Sequence, residues 1–135
     1  MIRIIYDMRM NGKKAFVFAL ITAVVLKLVL FDFIIAQGQS MEPVIGNGDV
    51  LVISRLRYGI RLPWRQKYVI RWAQPKVGEV VIFYTPTGEL AVKRCTALTE
   101  RDSFYAEGDN SNASYDSRSY GAVPVDNIIG KVLGY

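Results

Sequence analysis

Ser40, in Gln39-Ser40-Met41-Glu42-Pro43, and Lys93, in Ala91-Val92-Lys93-Arg94, are the two residues whose types could supply a nucleophile and a general base. A serine hydroxyl is a weak nucleophile until a base removes its proton. Histidine is absent from the sequence, which removes Ser–His–Asp triads, Cys–His pairs and imidazole metal sites. A hydrolase made from this chain must take a carboxylate or a lysine as its base. An ordinary lysine, with a pKa of about 10.4, is protonated at neutral pH and cannot serve. Burial disfavours the ammonium and can lower that value by up to about 3–5 units. Lys93 stands in an apolar run, and strand alternation sends Lys93 and Arg94 to opposite faces. One of them then points inward, where a lysine is costly without work or a partner. Both cations would also suit an edge strand guarded against aggregation, so spacing alone leaves the two readings open. A third stretch, Gly108 to Arg118, is dense in small hydrogen-bonding residues and taken by itself is a long polar turn.

The elements that must position these residues are short strands. β-branched and apolar runs occur at 49–54, 79–84, 90–98, 104–107 and 127–133. Turn signals separate them: Gly46-Asn47-Gly48, Pro75 through Gly78, Pro86 through Gly88, and Gly108-Asp109-Asn110. The pattern predicts a mainly β domain, a small twisted or barrel-like sheet. Half of the 135 residues (51%) are hydrophobic, rich for so small a chain, and an apolar segment accounts for the excess. Residues 15–36 carry only Lys27 and Asp32 as charges, and as a helix would span roughly 33 Å, close to a bilayer's hydrocarbon thickness. Arg3, Arg9, Lys13 and Lys14 precede it against one Asp7, which by the positive-inside rule leaves the N-terminus in the cytoplasm.

The expected organisation is therefore a cytoplasmic tail (1–14), one N-terminal transmembrane helix (15–36) and an extracytoplasmic β-rich domain (37–135). A basic, apolar, then small-residue order also fits a cleavable secretory signal, but the apolar run exceeds the usual 7–15 residues. The single cysteine, Cys95, excludes an internal disulfide framework. From Arg55 to Lys76 the cations are interleaved with Tyr58, Trp64, Tyr68 and Trp72, without an acidic residue. Such a mix can mark nucleic-acid binding, an improbable partner beyond a membrane segment. It suits a loop resting on anionic lipid, or equally a solvated loop with some core aromatics.

Taken together and in order, the apolar segment, Gln39-Ser40-Met41-Glu42-Pro43, Gly78-Glu79-Val80-Val81-Ile82-Phe83, the Lys93 strand and the Gly108–Arg118 turn resemble the type I signal peptidase family. That resemblance implies a membrane-bound serine endopeptidase with a Ser–Lys dyad, cutting exported preproteins after small residues through an acyl-enzyme. Ser40 would be the nucleophile, Lys93 the general base, and Ser114 the hydroxyl that orients the lysine. Asp116 and Arg118 would form a structural ion pair near the site. The Ser40 backbone N–H would serve the oxyanion; where some members assist with a serine hydroxyl two residues earlier, this chain has Gly38, which leaves the second donor open. Met41 and Val92 are guesses for the substrate pocket. No metal, cofactor or nucleic acid is implied, and the partners are preproteins and the lipid bilayer.

Two departures stand out: Ala97-Leu98-Thr99-Glu100 replaces the family's Gly-Leu-Pro-Gly-Asp after the lysine strand, and the large insertion of longer members is missing. Both allow an alternative client, the single dedicated subunit matured by conjugation- and pilus-type peptidases. Self-cleaving repressor-type Ser–Lys proteases are cytoplasmic and carry a DNA-binding domain, which fits poorly with a membrane segment. A non-catalytic membrane-tethered β domain would have no need of serine, lysine and polar turn together.

Overall fold

The computed structural model describes residues 11–62 and 64–135. Arg3, Asp7 and Arg9 of the expected cytoplasmic tail lie outside the described residues. Helix α1, Gly12–Leu30, is apolar on every side, with Phe16, Phe18, Leu20 and Ile21 all more than half exposed. It stops short of the predicted span. At Phe31 the backbone turns extended (φ −132°, ψ 146°), and Phe31–Ile35 becomes strand β1. The reason is local: Phe-Asp-Phe-Ile-Ile is aromatic and β-branched, and its backbone finds a complete ladder in β2, Val50–Ser54, from Phe31↔Ser54 to Ile35↔Val50. Asp32 meets Arg55 at 3.5 Å across that pair. The expected single helix over 15–36 is thus a helix followed by a strand, and the β domain begins before residue 37. With Lys13, Lys14 and Lys27 in α1, no helix among the described residues is long and apolar enough to cross a membrane.

The remaining strands are β3 (Gly59–Ile60), β4 (Ile70–Arg71), β5 (Val80–Tyr84), β6 (Leu90–Leu98), β7 (Ser103–Glu107), β8 (Val123–Pro124) and β9 (Ile128–Val132). Seven of the strands form one antiparallel sheet in the order β1-β2-β9-β5-β6-β7-β8, while β3 and β4 pair separately. The mainly β expectation holds, as an open half-barrel with β1 and β8 at its edges.

Strand β5 is the centre. Val80 to Phe83 are all buried, and their alternate side chains enter two different cores. Val81 and Phe83 join Tyr58, Cys95, Phe104 and Ile128, with Phe83 and Phe104 edge-to-face at 5.4 Å. Val80 and Ile82 join Met41, Ile45, Leu51, Ile53 and Val132. The second core grips Met41 and Ile45, directly after the serine, which fixes the loop between β1 and β2 to the sheet.

The basic stretch divides by structure. Tyr58 is fully buried and donates to Glu79 Oε2 at 2.8 Å, and Tyr68 donates to the Ile128 carbonyl at 2.8 Å. Arg57, Arg61 and Arg71 are likewise held by Glu79, by the Asp126 and Ile128 carbonyls, and by Asp102. Trp64 (79%) and Trp72 (55%) remain exposed. Of the four aromatics, Tyr58 is a core residue, the half-buried Tyr68 packs against the core, and two face outward.

Glu79, at the head of β5, gathers Tyr58, Arg57, Lys131 and the Lys76 N–H. Burial by itself would raise its pKa, but the donors from Lys76, Tyr58 and Lys131 outweigh it and hold the carboxyl at about 2. A carboxylate depressed in this way stabilises the fold above its unfolded value of 4.5, and the contribution is lost as pH falls toward 2. Replacing Glu79 with glutamine should lower stability by about 1.5–3 kcal/mol at pH 7. In urea unfolding, the gap between wild type and Glu79→Gln should close as the pH drops below the unfolded value; a gap independent of pH would contradict the assignment.

Candidate active site

The two faces of β6 separate its cations as alternation requires. Lys93, opposite Val81 in the ladder, is 6% exposed, whereas Arg94 turns to Asp109 with a two-pronged contact at 2.8 and 2.7 Å. Arg94 also donates to the Gly78 carbonyl at 2.8 Å, so it is a clasp between β6 and the polar turn. Lys93 has no such partner. Its Nζ lies 2.5 Å from Ser40 Oγ.

Removal from water lowers the Lys93 pKa below the ordinary lysine range; the negative charge of Asp116 opposes this and Arg118 assists it. The opposition is blunted because Asp116 is fully engaged. It is completely buried and accepts from Gly108 N–H (2.8 Å), Arg118 Nε (2.9 Å), Arg118 Nη2 (2.5 Å) and the Arg118 N–H (3.1 Å). Burial would raise the Asp116 pKa, but those hydrogen bonds hold the carboxyl well below the usual carboxylate range. The ion pair expected of Asp116 and Arg118 is present, at the N-terminus of the short helix α2, Ser117–Tyr120.

Ser114 departs from its expected contact. Its hydroxyl donates to Asp116 Oδ2 at 2.5 Å rather than to Lys93. An ionised carboxylate is the stronger acceptor, and it lies two residues away. Ser114 therefore braces the acid that faces the lysine.

The polar turn reaches Ser40 through the backbone. Asn110 N–H donates to the Ser40 carbonyl at 2.9 Å, and Gly108 packs beneath both. A Cβ at Gly108 would fall on the Ser114 hydroxyl and 2.5 Å from the Ser40 carbonyl oxygen, so only glycine permits this approach. The sequence showed the glycine but not the contact that needs it. Gly38, left open for the oxyanion, has φ +88° and no side chain to offer, and its N–H is already donated to Asn47 Oδ1 at 3.0 Å. The Ser40 N–H donates to no protein acceptor among the described residues.

Beside the two residues lies a cavity of about 140 Å³, lined by Ala36, Ile45 and Leu90 together with Met41 and Val92, the two pocket guesses. A second opening of about 280 Å³, bounded by Thr85, Thr87, Glu89 and Tyr115, shares Ser40 and Lys93 with the first. Among the described residues no cluster of acids and Cys95 could hold a metal ion. Chemically, the arrangement presents a hydroxyl in contact with a desolvated amine, a free N–H next to it, and room for a small side chain.

The family model described as signal peptidase, peptidase S26 matches residues 9–100 and 98–134. The chain is 36% identical over 76 residues to a signal peptidase I of Pseudomonas fluorescens, covering 56% of this chain and 26% of that protein. It is 28% identical over 127 residues to that of Pseudomonas aeruginosa, covering 91% and 42%. Against the mitochondrial inner membrane protease subunit 1 of Xenopus tropicalis it is 34% identical over 114 residues, covering 75% and 66%. The chain thus spans less than half the length of the two Pseudomonas proteins. With a family model that follows the chain from the apolar helix through the polar turn, the protein belongs to the signal peptidase family, peptidase S26.

Proposed function

We propose that this chain is a serine endopeptidase that removes signal peptides from exported preproteins, with Ser40 as nucleophile and Lys93 as general base. The observation that carries the reading is the 2.5 Å contact between Ser40 Oγ and a lysine amine whose pKa burial lowers. Neutral Lys93 accepts the Ser40 proton as Oγ attacks the scissile carbonyl. The Ser40 N–H stabilises the oxyanion, and the lysine returns its proton to the departing amine. The acyl-enzyme is then hydrolysed by a water that Lys93 deprotonates. A cavity of about 140 Å³ next to the nucleophile, lined by Ala36, Met41, Ile45, Leu90 and Val92, offers an apolar place for the side chain before the cut. Asp116, Arg118 and Ser114 act as supports, keeping the nearest carboxylate occupied.

The same proposal attaches the protein to the cell membrane through the apolar surface of α1, with the β domain on the extracytoplasmic side. The apolar surface of α1 on every side and the cations ahead of it support this. Trp64 and Trp72 extend the attachment, resting the β3–β4 arm on anionic lipid.

Cleavage of a preprotein by the purified chain should fall by about 10³-fold or more in Ser40→Ala and in Lys93→Ala, since removing members of such a unit costs on that order. Full activity in either variant would refute the dyad. The chain has only two tryptophans, so their emission reports the arm directly. Anionic vesicles should shift it to the blue, and brominated lipid should quench it; emission unchanged by both would remove the arm from the membrane.

A further inference from the structure

The loop that carries Ser40 is fastened firmly on its downstream side and thinly on its upstream side. Downstream, Met41 and Ile45 are buried, Ile45 N–H donates to the Met41 carbonyl, and Asn110 grips the Ser40 carbonyl. Upstream, the β1–β2 ladder continues one step past its last strand pair, through Ala36 N–H to the Asp49 carbonyl and Gly48 N–H to the Ala36 carbonyl, both at 2.8 Å. Beyond Ala36 the backbone must bend through Gly38 at φ +88° to bring Ser40 over Lys93. The hydrogen bond from Gly38 N–H to Asn47 Oδ1 holds that bend, a side-chain acceptor standing where the next rung of the ladder would be. Among the described residues, 37–39 are otherwise restrained only by the turn in which Glu42 N–H donates to the Gln39 carbonyl at 3.2 Å.

We infer that Asn47 is a positioning residue for the reaction: by fixing Gly38 it sets the direction of the Ser40 N–H, and hence the oxyanion donor. The inference rests on the proposed Ser40–Lys93 chemistry. Gly38 brings no hydroxyl, and its own N–H is committed to Asn47. The Ser40 N–H then carries more of the oxyanion's stabilisation, and its aim matters more. Asn47 itself is exposed in a turn between Gly46 and Gly48, where a residue with no functional part would tolerate replacement. The Gly46 N–H donates to Asp49 Oδ2 at 2.8 Å, so the turn keeps its own closure when the Asn47 side chain is removed. The acceptor is what the site uses: aspartate retains it at this position, and alanine and glycine do not.

The test compares Asn47→Ala, Asn47→Gly and Asn47→Asp in the full chain, using one preprotein cut after alanine, with Ser40→Ala as the control. Loss of aim at an oxyanion donor should lower kcat by about 10- to 100-fold in the alanine and glycine variants. KM should stay within about twofold, because the interaction lost belongs to the transition state. Affinity for a peptide boronic acid, which forms a tetrahedral adduct on the serine, should fall in parallel with kcat/KM. Asn47→Asp should recover most of kcat. Unchanged kcat in both truncations, a loss carried by KM alone, or an aspartate variant as slow as alanine would overturn the inference while leaving the dyad intact. Wild-type cleavage that survives Ser40→Ala would instead overturn the dyad, and the inference with it.

Discussion

Everything at this site depends on keeping one amine out of water. A charged lysine buried without a partner is costly, and the cost is relieved when the amine gives up its proton. The penalty survives only if no carboxylate nearby cancels it. A unit charge 4 Å away is worth roughly 4 kcal/mol at an effective dielectric near 20, about three pKa units. Asp116 is the carboxylate in question. Its five hydrogen-bond donors, two of them on the Arg118 guanidinium, tie its charge to an opposite one. Lys93 is left facing a neutralised pair, so desolvation prevails.

The fold serves that constraint from three sides. β6 brings Lys93 inward beside the buried β5, and Arg94, on the other face, clamps Asp109 so that the polar turn stays in place. The core beneath Met41 and Ile45 supports the serine loop. Gly108 lets the turn come near enough for Asn110 to hold the Ser40 carbonyl. The glutamate cluster at Glu79 secures the head of β5, the strand to which β6 is registered. Each support is a contact between segments far apart in sequence.

That distance explains what could be read from the residues and what could not. Apolar, β-branched runs bounded by turn residues revealed Val50–Ser54, Val80–Tyr84, Leu90–Leu98 and Ile128–Val132 almost to their ends, because short buried strands need such side chains and polar turns to join them. Strand β1 was hidden, since Leu30 and Phe31 adjoin with no polar or glycine break and a continuous apolar run fits helix and strand alike. The opposed faces of Lys93 and Arg94 were legible. That Ser114 would choose Asp116 over Lys93, and that Tyr58 would be core while Trp64 stays outside, were not; the first turns on how the chain folds between two near neighbours and the second on the distant Glu79 that receives the Tyr58 hydroxyl. The ordered motifs identified the family where composition and spacing had left two readings open.

The most direct measurement is the titration of the Lys93 amine itself, followed through its side-chain nitrogen resonance in the full chain and identified by its loss in Lys93→Ala. The midpoint should lie clearly below the ordinary lysine range and move upward in Arg118→Ala, where the cation that disfavours protonation is removed and Asp116 is left unpaired. A Lys93 midpoint in the ordinary lysine range would contradict desolvation as the source of the base.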